Sequence, residues 1–96
     1  MTTRDQLLQK RNEILQAAQS NGVRNIRIFG SVARGQDNQN SDIDFLVEFE
    51  DDRSLFDLIR FKQELEDMLG KPVDVVTENS VHQMIRPQVI KEAIEL

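Results

Sequence analysis

The stretch Ser41-Asp42-Ile43-Asp44-Phe45-Leu46-Val47-Glu48-Phe49 constrains this chain more than any other. Ile43, Phe45, Val47 and Phe49 recur at period two, the signature of a strand, because successive side chains of an extended chain point to opposite faces. The apolar face needs cover from other elements. The opposite face carries Asp42 and Asp44, whose carboxylates then point the same way from backbone positions about 6.5–7 Å apart. A carboxylate inside a strand is costly unless it is solvated at an edge, paired, or bound to a cation.

The rest of the pattern supplies the cover. Residues from about Thr3 to Ser20 read as a helix, with Leu7, Leu8, Ile14, Leu15 and Ala18 on one face, ended by Asn21-Gly22. Val23 to Phe29 alternates as a short strand, and Gly30-Ser31 stops it as a turn. Ser54 to Leu69 is a second helix, capped by Ser54 and Asp57, with Leu55, Leu58, Ile59, Leu65, Met68 and Leu69 in its apolar stripe and Gly70 closing it. Pro72 leads into a third strand, Val73 to Val76, and the tail from Ser80 is helical, interrupted at Pro87. The order α-β-β-α-β-α predicts an α/β (α+β) fold, a small mixed β-sheet with helices packed on it. Residues 1–96 hold no repeat or linker and are expected to form a single domain.

Composition narrows the function. Of 96 residues 39% are hydrophobic, with five Phe and no Trp or Tyr, so the core is mainly Leu, Ile and Val. A chain of this size buries only roughly 60–65% of its unfolded surface, leaving little stability for a large cleft. The absence of cysteine excludes a disulfide scaffold and a thiolate zinc site, and one histidine excludes a histidine-based metal cluster. No apolar run approaches the ~18 residues of a membrane span, and the charged start MTTRDQLLQKRNEI is unlike a signal peptide, so a cytoplasmic location is expected. Twelve basic against seventeen acidic residues argue against direct nucleic-acid binding, which needs cationic surface to displace counterions.

Asp74, in Val73-Asp74-Val75-Val76, is a third aspartate where a strand should be apolar. Any one of the three could be a solvated strand end. Together, two carboxylates on one face and a third from a neighbouring strand suit a shared divalent-cation site. Mg²⁺ prefers hard oxygen ligands and is typically held by one or two carboxylates plus substrate phosphates. Two such ions ~3.5–4 Å apart can bind the attacking and leaving oxygens of an in-line displacement. A second element is Gly30-Ser31-Val32-Ala33-Arg34-Gly35, where a strand runs into a glycine turn. Backbone N–H groups there can cradle a phosphate, with Ser31 adding a hydroxyl and Arg34 a charge.

In order, Gly30-Ser31, the ten residues 32–41, then Asp42-Ile43-Asp44, written IRIFGSVARGQDNQNSDIDFLVEF, resemble the polymerase-β-like nucleotidyltransferase superfamily, with Asp74 where its third carboxylate falls. The short chain is similar to the minimal nucleotidyltransferase group; the likeness is good from Ile26 to Val76 and looser in the flanking helices. The resemblance implies nucleotidyl transfer from a nucleoside triphosphate, ATP by expectation, with release of pyrophosphate. Gly30 and Ser31, with Arg34, would hold the triphosphate. Asp42, Asp44 and Asp74 would bind Mg²⁺, expected as two ions, and Asp74 would also serve the acceptor hydroxyl. It further implies a hetero-oligomer with a HEPN-type ribonuclease toxin, adenylylated on a tyrosine, this chain being the antitoxin. A non-catalytic antitoxin that works by occlusion is the alternative, and transfer to a small molecule such as an aminoglycoside is a third possibility that would ordinarily need further domains.

Two features are decoys. Asp37 to Glu48 imitates a calcium loop but has Asp42 where the sharp turn needs glycine. His82 beside Ser80 and Val81 reads as a surface or capping residue.

Overall fold

A computed structural model describes residues 3–36, 38, 41–81 and 83–96; Asp37 and Gln39 of the calcium-loop mimic, and His82, lie outside the described residues. The elements are α1 (Thr3–Gln9), α2 (Arg11–Ser20), β1 (Val23–Phe29), α3 (Gly30–Arg34), β2 (Ile43–Phe49), α4 (Leu55–Leu69), β3 (Val73–Thr77), a 3-10 turn (Glu78–Ser80), α5 (Arg86–Glu92) and β4 (Ile94–Glu95). The sheet order is β3-β2-β1-β4. β2 runs antiparallel to β1 and parallel to β3, and β4 is antiparallel to β1, so the sheet is mixed as the pattern predicts.

Ile43, Phe45 and Val47 of β2 are fully covered and join Leu7, Ile14, Val23, Ile28, Phe61, Leu65, Val73 and Val75 in one core. Each such side chain contributes about 1.5–3 kcal/mol on burial, so this face fixes the strand register. Leu46 is also fully buried, yet alternation puts it on the other face with Asp44. In β1 the alternation is reset by a bulge between Arg24 and Arg27, where Asn25 adopts φ 51°. The extra residue lets Val23 and then Ile26 and Ile28 all face inward.

The expected helix from Thr3 to Ser20 is divided at Lys10, which has φ −97° and ψ 13°. Lys10 Nζ donates to Met68 O at 2.7 Å, tying the break to carbonyls at the end of α4. The change of direction leaves Leu8 half exposed while Leu7, Ile14 and Ala18 are buried. In α4 the buried residues are Phe61 and Leu65, with Leu58, Met68 and Leu69 partly covered. Leu55 and Ile59, expected in that stripe, are exposed, because the covered line runs through 58, 61, 65 and 68–69. Ser54 and Asp57 form the expected capping box: Ser54 N donates to Asp57 Oδ2 at 2.9 Å, holding the Asp57 carboxyl below the usual range.

Three further differences concern short elements. Gly30-Ser31 opens a five-residue helix where the pattern gives only a turn. Pro87 lies in the first turn of α5 and starts that helix instead of interrupting it, since a first-turn N–H needs no intrahelical acceptor. Ile94 and Glu95 add a strand against Ile28 and Arg27. No helix among the described residues is long and apolar enough to cross a membrane.

Candidate active site

The parallel register sets Asp44 directly beside Asp74, so both point to the face away from the main core. Asp42, two residues earlier on the same chain, points the same way and is exposed, as is Asp74. On the other flank of Asp44 lies Phe29, its partner in β1, after which the chain turns at Gly30. The structure therefore brings all three predicted carboxylates and the glycine turn to one end of one sheet face.

Gly30 is required here for two reasons. It has φ 72°, a left-handed conformation that costs other residues roughly 1–2 kcal/mol. A Cβ at this position would also overlap Asp44 Oδ2 and lie 3.2 Å from Asp44 Cγ. The turn and the central carboxylate are thus fitted to each other. From Gly30 the chain enters α3, whose start has no side-chain cap, leaving its first N–H groups to other acceptors. Val32, 1% exposed, anchors α3 in the core, while Ser31 is half buried beside Gly30.

Burial lifts the Asp44 carboxyl to about 6, the neighbouring Asp74 and Asp42 charges act in the same sense, and Arg34 opposes them. A carboxylate in this position is short of positive charge. Arg34, at the end of α3, is committed elsewhere, donating from Nε to Gln36 Oε1 at 3.1 Å and from Nη1 to Glu92 Oε2 at 3.2 Å. Glu92 is a contact no sequence pattern indicates, since it comes from α5, 58 residues later, and is one acid among many.

Among the described residues, no group of three acidic, histidine or cysteine side chains closes into a metal cage. The donor set nevertheless fits a hard divalent ion. It is all oxygen and mutually repelling, with Asp44 and Asp74 on two paired strands and Asp42 just before β2, and Mg²⁺ ordinarily completes its shell with water and substrate phosphate. The face is open. A cleft of about 460 Å³ lies elsewhere, at the far ends of β2 and β3, among Arg24, Glu48, Thr77, Glu78 and Asn79, and includes none of the predicted site residues.

Comparison with known proteins finds relatives of this chain. Residues 9–96 match the family model for the nucleotidyltransferase domain. A Methanocaldococcus jannaschii protein provisionally named a protein adenylyltransferase is 44% identical over 86 residues, covering 90% of this chain and 92% of the relative. A solved structure provisionally named a minimal nucleotidyltransferase superposes with TM-score 0.88 at 42% identity, covering 100% of this chain and 97% of the other. A toxin–antitoxin crystal structure with AMP-PNP contains a chain matching at TM-score 0.73 and 28% identity, over 88% of this chain and 69% of that one.

Proposed function

The chain belongs to the nucleotidyltransferase domain family, as one of its minimal nucleotidyltransferases, and from that premise we propose that it transfers AMP from ATP to a hydroxyl of a partner protein. The acceptor in this reading is a tyrosine of a HEPN-type ribonuclease toxin, and the chain is the antitoxin of that pair. The observation that carries the reading is the fit between Gly30 and Asp44, which joins a phosphate-type turn to a carboxylate cluster at one point.

Each residue has a role in the proposed reaction. Gly30 and Ser31 present backbone N–H groups and a hydroxyl to the triphosphate, and Arg34 adds charge. Asp42, Asp44 and Asp74 would hold Mg²⁺, which when bound neutralises the phosphates and lowers the pKa of the acceptor hydroxyl. The acceptor oxygen bonds to the α-phosphorus, the α–β bridge breaks, pyrophosphate leaves, and Asp74 takes the hydroxyl proton. Relatives bearing the adenylyltransferase name and the AMP-PNP-containing toxin–antitoxin structure support both nucleotide and partner. The chain's net charge of −5 favours a basic or mixed protein surface over a nucleic acid as the acceptor.

The test is incubation with labelled ATP, Mg²⁺ and the toxin. Label is expected on the toxin, and none with the Asp42→Ala/Asp44→Ala double variant. If the double variant neutralises the toxin fully and no label ever appears, neutralisation is by occlusion.

A further inference from the structure

The guanidinium that follows the Gly30 turn already has an acid for a partner. Arg34 Nη1 donates to Glu92 Oε2, and Glu92 Oε1 accepts from Gln88 Nε2 at 3.3 Å, one turn earlier on α5. Both oxygens of Glu92 are thereby oriented. A carboxylate and a phosphate offer an arginine the same kind of acceptor, so Glu92 occupies a position that a phosphate oxygen could take. Arg34 also lies within the field of Asp44, whose carboxyl it pulls down, and so belongs to the site electrostatically.

The contact also links two elements. α5 has no buried residue, although it packs against α3 and β1. The Arg34–Glu92 pair ties its side chains to α3, half exposed on both sides at 44% and 31%. Exposed pairs of this kind are weak, so a multiply charged anion can displace the acid.

We infer that Glu92 is a positioning residue that exchanges with the triphosphate: its carboxylate holds Arg34 before nucleotide binds and releases it to a phosphate afterwards, loosening α5 from α3. This rests on the reading of Gly30, Ser31 and Arg34 as the triphosphate turn. Its consequence is distinct: a residue outside the catalytic strands sets nucleotide affinity, and nucleotide occupancy is transmitted to α5.

The experiment titrates AMP-PNP with Mg²⁺ into the wild-type chain, Glu92→Gln, Arg34→Ala and the double variant, by calorimetry at low ionic strength. The change to glutamine preserves side-chain size and removes the competing charge. Glu92→Gln is expected to bind AMP-PNP about three- to five-fold more tightly, the scale of one exposed ion pair. The gain should vanish in the Arg34→Ala background, because the two residues act through each other. Hydrogen exchange of the 88–92 amides should quicken on AMP-PNP addition in the wild type and stay unchanged in Arg34→Ala. A Glu92 that merely braces α5 would give looser or unchanged binding in Glu92→Gln, or the same change with and without Arg34, and any of these overturns the inference. Wild-type chain that binds AMP-PNP while Glu92→Gln gains nothing sinks this inference alone; wild-type chain that does not bind sinks the triphosphate reading with it.

Discussion

One sheet face treats charge in two ways. In the middle of that face Arg27 of β1 reaches across to Glu78, just past the end of β3, and the two meet at 2.5 Å with side chains only 15% and 34% exposed. At one end Asp44 sits beside Asp74 with the Asp42 charge also acting on it, and Arg34, close enough to help, is spent on Glu92. The first arrangement pairs opposite charges, with only the Arg27 Nε left buried and unpartnered. The second leaves like charges facing each other, and burial first, then those neighbouring charges, lift the Asp44 carboxyl to about 6. In the proposed function the end left short of positive charge is where a cation and an anionic substrate would bind.

The largest effect is expected from breaking the carboxylate end without changing its charge. Gly30→Ala drives a methyl group into Asp44 and should lower AMP transfer about 100-fold, the scale of a displaced reacting group. Gly35→Ala is the control. Gly35 has the same left-handed backbone, with φ 70°, but an added Cβ there meets nothing within 4 Å, so the variant should lose about 1 kcal/mol of stability and retain transfer. Equal loss of activity in both would show that the backbone turn matters and the fit to Asp44 does not.

Next comes the pair in the middle of the face. Glu78→Ala strands the largely buried Arg27 guanidinium and should cost about 2–3 kcal/mol in denaturant unfolding, with nucleotide binding unchanged. Loss of nucleotide binding there would erase the distinction between the two places.

The smallest effect carries the opposite sign. An unfolded chain releases the Asp44 proton near 3.8, whereas the folded chain keeps it to about 6, so folding takes up a proton between those values. Stability therefore falls as pH rises from about 4 to about 6 and stays lower above. Asp44→Asn should remove this penalty, stabilising the metal-free chain by about 1 kcal/mol at pH 8, after allowance for solvent screening of a half-buried group, and by nothing near pH 3.5. Thermal melts in chelator at the two pH values check it. Destabilisation at pH 8 would mean that the carboxylate is a structural group like Glu78.

Much of this was legible from local pattern. Alternation located β1 and β2, a run of valines after Pro72 located β3, and the Ser54–Asp57 box marked the start of α4 because its partners are three residues apart. The glycine turn and the three aspartates were found because their residue types conflict with the strand around them. The missed features depend on distant partners. The break at Lys10 is tied to Met68, β4 is two residues whose only signal is pairing with β1, and Glu92 matters through an arginine 58 residues away. α3 was hidden for another reason: in five residues its single buried side chain, Val32, cannot display a helical period.

The central claim is that the carboxylate end transfers AMP to a protein. It is tested most directly by the intact mass of the toxin after incubation with this chain, ATP and Mg²⁺. The account predicts a mass increase by whole AMP units, mapping to tyrosine. A toxin fully neutralised at its unmodified mass would contradict it.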